Sequence, residues 1–254
     1  MSLRLNNKVC IITGTGGSMG RAAALLFAKQ GAKVVGCDIN PCATEETLAL
    51  VTQQGGDMVS MSPCDLTDPA NCAGLVDLAL SSYGRVDVLC NNAAMAYFGW
   101  VDEISDEDWY RTIDQEVNLV FHMVRAAWPA LIKAPGASII NTASVSAWAS
   151  YKLLPGIAHS AAKGAVLSMT RQLAMEGRVH GLRANSISPG LIESNQTRPL
   201  LKDPVWSETM LDKIMLGRMG TPEEVASAAL FFASDESSFI TAADLRVDGG
   251  TSSW

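Results

Sequence analysis

"KVCIITGTGGSMGRAAALLFAKQGAKVVGCD", residues 8–38, decides the fold of this chain. Its first six residues, KVCIIT, are mostly apolar and rich in β-branched side chains, which predicts a strand over 8–13. "SMGRAAALLFAKQG" (18–31) is rich in helix formers and closes on Gly31, and "KVVGCD" (33–38) reads as a second strand. Strand, glycine-rich turn, helix and strand make a parallel βαβ unit with a right-handed crossover. The turn "TGTGGSMG" (13–20) lets the backbone approach a pyrophosphate, while the helix N-terminus aims free N–H groups at it. Gly14, Ser18, Met19 and Gly20 form that cradle. Asp38 closes the second strand, where a carboxylate meets an adenosine ribose. It accepts from both ribose hydroxyls and repels a 2′-phosphate, so the expected cofactor is NAD rather than NADP. Arg21 and Lys33 do not directly follow the strand, as a phosphate-binding arginine would.

Outward from this unit the alternation continues. Helix 41–56, a strand near 57–62, helix 68–83 and the strand "VDVLC" (86–90) lead to a long helical zone, 106–133. Then come "ASIINTA" (137–143), helix 156–180, "RANSIS" (183–188), helix 221–233 and "DLRVD" (244–248). The expected fold class is α/β: a single doubly wound parallel sheet with helices on both faces, as one domain over 1–254. An irregular insertion at 191–216 breaks the alternation and carries Pro199, Pro204, Trp206, Met210 and Met215, the composition of a substrate-binding lid.

The totals narrow the partners. A net charge of −7 over 254 residues argues against nucleic acid or an anionic membrane. No apolar run reaches the roughly 18 residues of a membrane span, and no signal peptide precedes the first strand. The six cysteines fall in the first 90 residues without a C-x-x-C, so they read as reduced thiols of a cytoplasmic protein, and no metal motif is expected.

With these motifs in order, the chain resembles the short-chain dehydrogenase/reductase family, of Rossmann fold, nearly end to end. Thr13-Gly14 through Gly20 is similar to the family's T-G-x-x-x-G-x-G turn, with Ser18 in place of the middle glycine. If that position needs positive φ, a serine there is strained. "CDLTD" resembles the segment whose aspartate, here Asp65 followed by Leu66, meets the adenine. "NNAAM" (91–95) is similar to N-N-A-G and assigns Asn92 and Ala93 to the cofactor. "SISPGLIES" (186–194) resembles the stretch over the nicotinamide, with Pro189, Ile192 and Ser194 beside it. The resemblance also implies a homotetramer, with helices 106–133 and 156–180 and the last strand as contacts.

The catalytic end departs from the family. In "AHSAAKGAV" (158–166) Lys163 occupies the lysine position, which holds the nicotinamide ribose, and His159 occupies that of the tyrosine that exchanges a proton with the substrate oxygen. Ser144 occupies the position of the serine that orients that oxygen. Laid on the family without gaps, the helix asparagine of the proton relay falls on Glu116; placing it on Asn118 needs an insertion and a deletion inside one helix. An imidazole, with an ordinary pKa near 6.5 against about 10 for a phenol, exchanges protons near neutrality without help. The expected reaction is therefore NAD-dependent interconversion of a secondary alcohol and a ketone, with His159 as acid/base. Two alternatives stand beside it: a redox-neutral lyase or epimerase that uses bound NAD, and a non-catalytic NAD-binding relative. Met95, Tyr97, Phe98, Trp100, Trp148, Tyr151, Leu153, Leu154, Ile192, Trp206, Met210 and Met215 give the substrate segments an apolar cast, which suits a small hydrophobic alcohol or ketone. Tyr151 is a substitute phenol only if its loop reaches the site. His122 and His180 read as structural.

Overall fold

Strand β1 (Val9–Thr13) alternates its side chains between two cores, and that alternation sets the layers of the molecule. Val9 and Ile11 join one core, with Val35, Leu89 and Ile139 from other strands and Leu75, Met123 and Val166 from helices. Cys10 and Ile12 join the other, with Val34, Val88, Ile140, Phe27 and Leu230. A sheet with apolar side chains on both faces must be covered on both, and it is. The computed structural model describes residues 3–194 and 197–254.

In chain order the elements begin with β1, α1 (Ser18–Lys29), β2 (Lys33–Cys37), α2 (Pro41–Gln53), β3 (Asp57–Met61), α3 (Pro69–Tyr83) and β4 (Val88–Asn91). Helices α4 (Asp106–Ile113) and α5 (Leu119–Leu131) precede β5 (Ser138–Thr142), α6 (Ile157–Gly177) and β6 (Arg183–Pro189). Helices α7 (Pro204–Asp212) and α8 (Pro222–Ala233) and strand β7 (Asp244–Val247) complete them. All seven strands are parallel in the order β3-β2-β1-β4-β5-β6-β7, the doubly wound sheet expected from the sequence. The chain leaves β1 toward β2 on one side and returns to β4 on the other. A crevice opens at that reversal, outside the carboxyl ends of the strands, where ligands bind in such sheets.

Two elements differ from expectation. The helical zone 106–133 is interrupted by a π-helical turn, Asp114–Asn118, which separates α4 from α5. The insertion 191–216 is not wholly irregular: α7 lies within it, opened by Asp203, whose side chain accepts from the N–H groups of Val205 and Trp206, with Pro204 at its first position. Residues 195 and 196 of that insertion lie outside the described residues.

Candidate active site

At the reversal point the glycine turn is locked to β4. Gly14 has φ +73°, and a Cβ there would lie 2.9 Å from the Ala93 Cα. Gly20 is tighter still, since a Cβ would sit 2.0 Å from the Gly14 carbonyl oxygen. The Thr13 hydroxyl accepts from the N–H groups of Asn92 and Ala93, both at 2.9 Å, and the Asn92 amide donates to the Thr13 carbonyl at 3.0 Å. Ser18 is not strained: it opens α1, and among the described residues only Asn7 and Ala242 combine a side chain with positive φ. The left-handed residue of the turn is Gly14. Met19 packs half-buried against the core below.

Asp38 is fixed by the same turn. Its carboxylate accepts from the Gly16 N–H at 2.9 Å and from the Asn40 N–H at 2.9 Å. No side chain caps α1 and its first turn holds no acid, so the N–H groups of that turn face the crevice without a resident anion. A turn closed to a Cβ at Gly14 and Gly20, an uncapped helix start and an anchored carboxylate fit a dinucleotide. Asp65 is exposed and accepts from the Thr67 N–H (3.0 Å) and hydroxyl (2.8 Å). The Leu66 side chain belongs to the core, so any ligand contact at that position falls to its main chain. Pro189 ends β6, Ile192 is buried and bridges to Gly220, and the Ser194 N–H donates to the Thr197 hydroxyl at 2.8 Å.

Around the catalytic positions the π-helical turn matters most. It presents Glu116, 2% exposed, to the first turns of α6. The carboxylate lies 3.0 and 2.8 Å from His159 Nδ1 and 3.3 Å from Lys163 Nζ. Lys163, also buried, donates to the Thr142 carbonyl at 3.1 Å. Burial alone would raise the Glu116 pKa, but Lys163 and the His159 hydrogen bond outweigh it and hold the carboxyl below the usual carboxylate range. An ionised Glu116 accepts a proton donor at Nδ1, which leaves Nε2 of a neutral ring with the basic lone pair. Ser144 stands two residues beyond β5 and its hydroxyl oxygen accepts from the Ser146 N–H at 3.1 Å. Asn118 is not part of this group; its amide donates to Asp114 at 2.7 Å.

The structure divides the apolar segments. Phe98 stands beside His159, ring centroids 5.7 Å apart and tilted by 50°. Trp148 is turned away, its indole N–H donating to Asp244 at 3.0 Å under the Arg246 guanidinium. Tyr151 is no substitute phenol: it lies against Thr251 and Asp248 at the chain's C-terminal end, and burial pushes its pKa up to about 12. Met210 is the buried residue of α7 and Met215 packs on Gly250. The Phe98 contact was missed because it depends on how a loop crosses the start of α6, and nothing in the spacing reports that. The π-helical turn carries no proline or glycine that would have marked it. Among the described residues, no group of three His, Cys, Asp or Glu side chains is arranged to hold a metal ion, and no helix is long and apolar enough to cross a membrane.

The family model described as Enoyl-(Acyl carrier protein) reductase matches residues 14–252. The chain is 37% identical to the 3-oxoacyl-[acyl-carrier-protein] reductase FabG of Thermotoga maritima, over 98% of this chain and 99% of that protein. It is 35% identical to a cyclohexanol dehydrogenase of Acinetobacter sp. (strain SE19), over 100% of this chain and 98% of that protein. The crystal structure of a short-chain type dehydrogenase/reductase from Mycobacterium marinum superposes with a TM-score of 0.93 at 30% identity, covering 100% of this chain and 98% of that one. By sheet order, glycine turn and these matches, the chain belongs to the short-chain dehydrogenase/reductase family, oxidoreductases that use a nicotinamide cofactor.

Proposed function

We propose that this chain is an NAD-dependent oxidoreductase that interconverts a hydrophobic secondary alcohol and its ketone, with His159 as acid/base. The observation that carries this reading is the buried Glu116 carboxylate held on both His159 and Lys163. A site that had lost its chemistry has no use for a histidine and a lysine gathered on one buried acid, because such a group is costly to desolvate. Gly14, Ser18, Met19 and Gly20 would hold the pyrophosphate, Asp38 the adenosine ribose, and Asp65 and Leu66 the adenine. Asn92, Ala93, Pro189, Ile192 and Ser194 would line the nicotinamide half, with Lys163 on its ribose. The bound nicotinamide supplies the two-electron acceptor for the carbinol carbon.

The protein does the proton work. The Ser144 hydroxyl donates to the substrate oxygen and orients it. His159 takes the hydroxyl proton at Nε2 while Glu116 keeps its own hydrogen bond at Nδ1. The imidazolium that forms is paired at once with a carboxylate already ionised, so the new charge is balanced across one ring. Lys163 keeps that carboxylate anionic.

The cyclohexanol dehydrogenase relative supports an alicyclic or similar apolar alcohol as substrate. We place all of 1–254 in one domain and the protein in the cytoplasm, where its six unpaired cysteines stay reduced. A homotetramer fits the half-exposed Phe121 of α5 and Leu245 of the edge strand β7. The test is NAD reduction, followed by absorbance, over a panel of secondary alcohols. Replacing His159 by alanine is expected to lower kcat by about 10²–10⁴, and an unchanged rate in H159A overturns the assignment.

A further inference from the structure

We infer that Phe98 selects the substrate, and that it favours a ring-shaped alcohol with one hydroxyl over open-chain alcohols and vicinal diols; this rests on the alcohol dehydrogenase reading above. Phe98 is half-exposed, yet its backbone is fixed to the helix that carries His159. The next residue, Gly99, donates to the Pro155 carbonyl at 2.9 Å and forms a β-bridge with Gly156. Gly99 is pressed from the other side, since a Cβ there would lie 3.0 Å from Ile104. The Phe98 ring itself borders Gly156, within 3.8 Å of where a Cβ would stand. The ring is therefore registered on the start of α6, 5.7 Å from the His159 imidazole, with half its surface free. A flat apolar wall at that distance from the base contacts the carbon skeleton next to the reacting carbinol. A closed ring presents a broad face to it, whereas a flexible chain must freeze its torsions to do so.

The polar head beside Phe98 in the chain is spoken for. The Tyr97 hydroxyl accepts from Arg111 at 2.7 Å, with the guanidinium 4.1 Å over its ring. A second hydroxyl beside the carbinol would be desolvated against Phe98 without the Tyr97 head to receive it.

The experiment compares kcat/KM for cyclohexanol, 2-hexanol and trans-1,2-cyclohexanediol in the wild type, Phe98→Ala and Phe98→Leu, each checked for folding by thermal melt. Cyclohexanone binding in the presence of NADH is measured calorimetrically alongside. Expected is a wild-type preference for cyclohexanol over both others that shrinks about tenfold in F98A and less in F98L. Equal preferences in all three proteins overturn the role of Phe98. If the wild type oxidises none of the alcohols, the alcohol dehydrogenase reading falls; Phe98-dependent binding of cyclohexanone then still supports the ring site, and its absence overturns that too.

Discussion

In the proposed mechanism the chemistry turns on Glu116, one buried carboxylate that contacts both His159 and Lys163. Replacing it by glutamine keeps an acceptor for the His159 ring but removes the charge. Lys163 then loses its counterion while keeping the Thr142 carbonyl. E116Q should cost roughly 3 kcal/mol of stability, the lower end of the range for an uncompensated buried charge, and should lower kcat more than it changes substrate KM. Denaturant melts and steady-state kinetics check the two halves. The pH dependence has a definite sign. The folded pKa of Glu116 lies below its ordinary value, so its contribution to stability is complete above the ordinary carboxylate pKa and is lost as pH falls through the depressed one. Melting temperature of the wild type should therefore drop on acidification from about pH 6 to 3 more steeply than that of E116Q. Parallel curves would mean that Glu116 is not the group being titrated. This residue was legible in the sequence only by gapless alignment over its helix. Its partnership with both His159 and Lys163 depends on the π-helical turn, which local composition does not announce.

Single elements show where local rules hold and where they are broken. Helix α8 opens with Thr221 and Glu224 in a capping box, readable directly from the sequence. Helix α7 opens with Asp203-Pro204, an equally plain start signal lying inside a segment that otherwise reads as insertion. Removing that cap in D203A should loosen α7 by about 1 kcal/mol, seen as faster amide exchange over 204–212 with α8 unaffected. Equal protection in both proteins would show that tertiary packing, not the cap, holds α7. The approach to β7 breaks a rule instead: Ala242 sits at φ +60°, its N–H bonded to the Ala184 carbonyl. A left-handed alanine costs about 1–2 kcal/mol, and glycine returns part of that through its freer unfolded chain. A242G should be the more stable protein by up to about 1 kcal/mol, a rise of roughly 2–4 °C in Tm for a chain of this size. A lower Tm would mean that the side chain contributes packing that outweighs its backbone strain.

At the scale of the whole molecule, strand alternation was enough to foresee seven parallel strands and the end of the sheet at which ligands gather. Binary pattern reports burial, and burial fixes layers. What pattern does not report is which face a loop side chain turns to, and so Trp148 and Tyr151 were expected at the substrate and lie at the C-terminal edge. The crevice is built from the ends of β1, β2 and β4 together, with Thr13 gripping Asn92 and Ala93 and Asp38 gripping Gly16. A ligand that bridges those ends binds only the folded chain, so its binding energy adds to global stability. At a hundred times its dissociation constant a dinucleotide should add about 2.7 kcal/mol, several degrees in Tm. If the anchored Asp38 carboxylate selects free ribose hydroxyls over a 2′-phosphate, as proposed, NAD at equal concentration should raise Tm and NADP should raise it less. In Asp38→Asn the repulsion is gone while a hydrogen-bonding side chain remains, and the gap between the two cofactors should close. A gap of the same size in wild type and D38N, or a larger shift with NADP in the wild type, would remove Asp38 as the residue that chooses the cofactor.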